Sequence, residues 1–172
     1  MASVKTTQQQ AEEHFREVLK GFEQAMLVTH SDEIGMHARP MAIAGSEDDG
    51  SVWFISGEDT PKVAELHHDR TTLAVMQSGV KSLAISGRSE LTRDRDKIHA
   101  LWKETFRAWF EGKDDPNILL IRLRPEQAEY WDNSGLKGIK FAMKLAAAYV
   151  SGKTLSQDAG DDDVDVHAKL RL

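Results

Sequence analysis

A small closed antiparallel β-barrel with peripheral helices, mainly β (α+β) in class, is the fold this 172-residue sequence predicts. Three observations carry the expectation. Short apolar runs recur along the chain, each bounded by Gly, Ser, Asp or Pro. The links between most of them are turn-sized, too short for the crossovers that parallel strands need. Finally, about six such runs must hide their edges, and a sheet of that size does so most simply by closing on itself.

The elements follow in order. Residues 11–23 read as a helix, because Phe15, Val18, Leu19 and Phe22 fall at i, i+3, i+4 and i+7, and Gly21 ends it. The run 25–30 starts the sheet, and the polar residues after it, closing on Gly35, make a hairpin with a returning strand over 36–44. Pro40 has no N–H to give to a ladder, so that point belongs on an edge or at a break in pairing. A turn over 45–50 leads into the strand SVWFISG. A short helix is expected over 60–68, with Thr60 as its cap, Pro61 at its first position, and Val63 and Leu66 facing inward. Strands over 71–77 and 81–93 are joined by Ser78-Gly79. A second amphipathic helix is expected over 94–106, carrying Ile98, Leu101 and Trp102. The strand beginning near Asn117 is expected to be interrupted at Pro125 and to resume toward Trp131, and residues 138–149 look helical. Residues 1–150 then form one domain, and residues 151–172 an acidic, mobile C-terminal tail; deleting residues 156–172 should leave the fold nearly intact.

Charge and composition exclude several classes of function. The chain carries 22 Lys plus Arg against 28 Asp plus Glu, a net charge of -6. Asp158, Asp161, Asp162, Asp163 and Asp165 supply most of that acidity from a window free of Lys and Arg. The remainder is nearly neutral and shows no basic cluster, so nucleic acid is not an expected partner. There are no cysteines, which removes disulfides, thiolate metal sites and thiol catalysis. The longest apolar stretch, residues 145–150, is far too short to span a bilayer, and the first residues lack the apolar core of a signal peptide. No membrane partner and a cytoplasmic location are the corresponding expectations.

Few residues invite chemistry. Arg39 stands in an otherwise apolar strand, and reads either as an edge arginine paired with a carboxylate or as an anion receptor, since guanidinium matches phosphate as a bidentate fork. The passage from Trp53 to Leu66 passes from strand to helix through Ser56, Thr60 and Lys62. Ordinary capping explains it, but a helix start with free amides, a hydroxyl and a Lys also suits a phosphate monoester. The seven histidines form no His-Glu-x-x-His pattern and read as packing or surface residues, so no metal site is expected. Neither a Gly-x-Ser-x-Gly elbow nor a phosphate-binding glycine loop is present.

Taken in order, AMLVTH, HARPMA, VWFISGEDTPKVAEL, SLAISGRSEL and ALWKETFRAWFEGKDDPNILLIRLRPEQAEYWD resemble the general stress protein branch of the pyridoxamine 5'-phosphate oxidase-like family, over roughly residues 15–132. The resemblance implies a six-stranded antiparallel split β-barrel, the FMN-binding domain of residues 1–150. It also implies a homodimer with flavin in grooves at the subunit interface. In that family an Arg and a Lys hold the flavin phosphate; those roles fall on Arg39 and Lys62, with Ser56 and Thr60 as hydroxyl contacts. Backbone at Pro40, Met41 and Ile55 would line the isoalloxazine. Ser82 takes the place of a polar ring contact, and Trp109 and Phe110 look like a pair contributed by the neighbouring subunit. The region 135–163 departs from true pyridoxamine phosphate oxidases, with Lys but no Arg or His to grip a second phosphate. The implied function is FMN binding in a stress response, without vitamin B6 oxidation; FAD or riboflavin also fit if the phosphate end is open. An FMN-dependent oxidoreductase (a flavin reductase or a small-substrate oxidase) and a ligand-free stress-associated scaffold are the alternatives. No catalytic side chain is named, because any redox chemistry would be the flavin's.

Overall fold

The computed structural model describes residues 7–134 and 167–172. Helix α1 (Thr7–Lys20) places Phe15, Val18 and Leu19, with Phe22 just beyond it, into the main core. It stops before Gly21, whose N–H closes the last turn on the Val18 carbonyl at 3.1 Å. Strands β1 (Gln24–Ser31) and β2 (Gly35–Ser46) form the expected hairpin, pairing from Ser31↔Gly35 to Gln24↔Ala42. A φ of 74° at Gly35 makes the turn possible. Strand β3 (Val52–Gly57) is buried on both faces. Its alternate residues serve two cores: Val52 and Phe54 point into the barrel, while Trp53 and Ile55 join Ile98, Phe106, Ile118 and Leu120 outside it.

Helix α2 (Pro61–His68) buries Val63 and Leu66 as the periodicity predicts. Strands β4 (Thr71–Ser78) and β5 (Lys81–Thr92) meet at a tight turn through Gly79. Strand β6 (Ile118–Asp132) pairs with β5 along nearly its whole length and with β3 through its first half. The order β3-β2-β1-β4-β5-β6 therefore returns to β3, closing six antiparallel strands into a barrel.

Three elements differ from the sequence reading. Pro125 does not interrupt β6: the strand runs through it with a register shift, Ser86↔Gln127 being followed by Gly87↔Pro125, which leaves Glu126 as the extra residue. Gly87 permits the shift, since a Cβ there would lie 1.9 Å from the Arg124 carbonyl oxygen. The second long helix splits instead of reaching Phe106. Helix α3 (Arg95–Leu101), capped by the Asp94 side chain, ends at an extended Trp102, and a 3-10 turn (Glu104–Ala108) follows. Lys103, between the two, donates from Nζ to the Ile43 carbonyl at 2.8 Å and ties this connection to β2.

The last difference is at the C-terminus. Residues counted with the tail form strand β7 (His167–Arg171), which pairs with the second half of β6 and buries Leu170 in the main core. The helix expected over 138–149 and the acidic window lie outside the described residues. Among the described residues no helix is long and apolar enough to cross a membrane.

Candidate functional site

The barrel is split where β2 and β3 part company. The two strands pair only from Ser46↔Val52 to Ile43↔Phe54, with a register shift between Ile43 and Gly45. Beyond that point residues 35–42 of β2 pair with β1 alone, and Pro40, which lacks an N–H, lies in this one-sided stretch. The diverging strands leave a groove of about 390 Å³. One side of it is Arg39 to Ala42 of β2; the other is Ile55 to Gly57 of β3, continuing into Thr60 and Lys62 at the start of α2. Phe106, Trp109 and Phe110, from the 3-10 turn and just after it, with Asn117, complete the wall.

Nine of the ten expected site residues therefore meet in one groove: Arg39, Pro40, Met41, Ile55, Ser56, Thr60, Lys62, Trp109 and Phe110. Ser82 does not join them. It lies on β5 in register with Gln77 and Trp131, away from the split. Trp109 and Phe110, implied to reach in from a neighbouring subunit, line the groove of their own chain. Trp109 is 71% exposed, so its ring forms a rim and not a buried wall.

One end of the groove is cationic. The Arg39 guanidinium donates to the Thr29 hydroxyl and, at 2.6 Å, to Oε2 of Glu65, forming an ion pair. Glu65 also accepts from Thr29 and lies 2.8 Å from Nδ1 of His37 through Oε1. Both of its oxygens are engaged, and its side chain is only 10% exposed. Burial opposes ionisation there, but the hydrogen bonds from Thr29, His37 and Arg39 and the guanidinium charge win, holding the carboxyl at about 2. Lys62 is partly buried and makes no hydrogen bond or ion pair among the described residues. Burial, then the Arg39 charge, push its pKa down, while Glu65 opposes them. A partly desolvated ammonium with no direct ion pair among the described residues attracts an anion.

Hydroxyls and backbone sit beside that charge. Ser56 Oγ and Thr60 Oγ1 lie 3.0 Å apart, and both reach the Gly57 carbonyl, at 3.0 and 2.8 Å. Thr60 occupies the cap position as expected, but its hydroxyl makes no capping bond, so the first turn of α2 receives no side-chain cap. The rest of the lining is apolar, built from Met41, Ala42, Ile55, Phe106 and Phe110.

Sequence reading missed Glu65, Thr29, His37, Phe106 and Asn117. Glu65 follows Lys62 at i+3 on a helix, and His37 and Arg39 alternate on a strand, so each pair shares a face. That spacing was the available signal for the cluster. Among the described residues no group of three His, Asp or Glu side chains is placed to hold a metal ion.

Comparisons with known proteins follow the same outline. The family described as pyridoxamine 5'-phosphate oxidase like matches residues 10–156. General stress protein 26 of Bacillus subtilis is 29% identical over 42 residues, which is 24% of this chain and 30% of that protein's length. The general stress FMN/FAD binding protein of Xanthomonas citri is similar at 32% identity and a TM-score of 0.61, over 72% of this chain and 89% of that one. General stress protein 26 of Bacillus anthracis reaches a TM-score of 0.65 over 70% of this chain and 92% of its own, at 16% identity, a likeness of fold alone.

Proposed function

The chain belongs to the pyridoxamine 5'-phosphate oxidase-like family, and we propose that within it this protein binds a flavin, FMN first, in the groove where the barrel splits. One observation carries the reading: a partly buried Lys62, with no hydrogen bond or ion pair among the described residues, lines a groove whose wall is otherwise largely aromatic and aliphatic. FMN has that same polarity, a dianionic phosphate at one end and a broad apolar ring at the other. A groove of about 390 Å³ lies within the range of ~300–1,000 Å³ usual for small-ligand sites. The relative in Xanthomonas citri, described as FMN/FAD binding, supports the same class of ligand.

In this assignment Lys62 and Arg39 face the phosphate, the hydroxyls of Ser56 and Thr60 stand beside it, and Met41, Ile55 and Phe110 pack on the ring. A bound flavin supplies hydride and electron transfer; the chain supplies orientation, charge and exclusion of water. Vitamin B6 oxidation is not part of the proposal, because residues 135–163 offer no Arg or His for a second phosphate.

A homodimer belongs to the same proposal. The outward row Pro40–Met26–Val75 crosses β2, β1 and β4 in register, and Ala38–Val28–Leu73 lies beside it. Met26 and Val75 are 41% and 39% exposed. Pro40 belongs to both this apolar face and the groove, so a second copy seated on the face would also border the flavin.

The test is a titration of apoprotein with FMN, followed by flavin fluorescence. Saturable quenching, with a flavin absorption band on the purified protein, is expected. Colourless protein that leaves FMN fluorescence unchanged would overturn the proposal.

A further inference from the structure

We propose that Glu65 is the specificity-determining residue of the groove's cationic end: it neutralises Arg39 within the protein and leaves Lys62 to distinguish a phosphorylated flavin from an uncharged one. The inference rests on the flavin reading above and deepens it. Arg39 has two of its nitrogens committed, Nη1 to Thr29 and Nη2 to Glu65. Glu65 is committed through both oxygens, to His37 on one side and to Arg39 and Thr29 on the other. The two side chains are 16% and 10% exposed, so this is a desolvated pair and not a solvent-screened surface contact. Turning the guanidinium fully onto a ligand would strand a buried carboxylate, which is far more costly than leaving the pair intact.

Lys62 is differently placed. It precedes Glu65 by three residues and shares its face of α2, close enough that both Arg39 and Glu65 act on its charge. Summed over Arg39, Glu65 and Lys62, the cluster carries a single positive charge. A phosphate dianion therefore meets one uncompensated cation, where the two motifs around Arg39 and Lys62 suggested two. The groove's apolar lining does most of the holding, and FMN is preferred to riboflavin only modestly.

The experiment measures the affinity of full-length wild type, Glu65→Gln and Lys62→Gln for FMN and for riboflavin by fluorescence quenching. Wild type should prefer FMN only modestly. Glu65→Gln keeps side-chain size and one acceptor oxygen for Arg39 and Thr29 but removes the charge; FMN should tighten by roughly tenfold or more while riboflavin changes less than about twofold. Lys62→Gln should bring the ratio of the two affinities close to one. Equal changes in both ligands on Glu65→Gln would mean a structural role and overturn the inference. If circular dichroism shows Glu65→Gln unfolded, Lys62→Gln decides: a retained preference for FMN overturns the inference, and a lost one supports it. Wild type that binds neither flavin defeats the flavin reading, and this inference with it; flavin binding with an unmoved ratio defeats the inference alone.

Discussion

At the scale of single residues, Glu65 connects stability to acidity. Its carboxyl is held at about 2, below its usual 4.5, so the folded state binds protons less readily than the unfolded chain. The stabilisation is complete above about pH 4.5 and is lost as pH falls through about 2. It amounts to something on the order of 3 kcal/mol. Urea midpoints of wild type and Glu65→Gln between pH 7 and pH 2.5 should differ most at neutrality and converge in acid. A gap that stays constant with pH would show the carboxylate contributes through packing alone. Arg39 and Lys62 are legible in the sequence because each is an isolated cation in a patterned context. The partner of Arg39 is not, because the contact joins β2 to α2 across 26 residues and many other carboxylates compete on paper. Of the two readings open for Arg39, the geometry realises the ion pair and leaves the guanidinium at the groove as well.

At the scale of elements, local periodicity gives α1, α2 and the strands to within a few residues. It fails where tertiary contacts override it. The α3 helix breaks after Leu101 because Lys103 is drawn to the Ile43 carbonyl and Phe106 is turned under β3, neither of which helical spacing encodes. A proline signals a break in isolation, yet β6 absorbs Pro125 because Gly87 opposite lets the backbones close up. Gly87→Ala should therefore cost roughly 3 kcal/mol or more, since the new methyl meets backbone and not a movable side chain. Chemical denaturation measures it, and an unchanged midpoint would mean the bulge gives way easily. Strand β7 is not legible in the sequence, because five residues after an acidic window carry little pattern. Its Leu170 is nonetheless 6% exposed and packs in the main core. Leu170→Ala should lower stability by about 2–4 kcal/mol, and truncation at residue 166 by at least as much. A truncated chain as stable as the full one would show the strand to be dispensable, as composition alone suggested.

At the scale of the whole molecule, the apolar face across β2, β1 and β4 predicts association. Met26→Lys combined with Val75→Lys should shift sedimentation from dimer toward monomer and weaken flavin binding along with it. Monomeric wild type, or dissociation that leaves flavin affinity untouched, would separate the groove from the face. Barrel closure has a further consequence. The strands that complete the ring, β3 and β6, meet through pairs such as Val52↔Leu123, residues drawn from far apart along the chain. Joining such distant segments is slow, because the intervening loop must surrender its entropy before any ladder bond forms. Ile55 and Ser56 take their final places through that very ladder, opposite Leu120 and Leu119. During refolding, then, the hairpins should acquire their amide protection early, while the crevice beside them waits for the slowest kinetic phase before it exists at all.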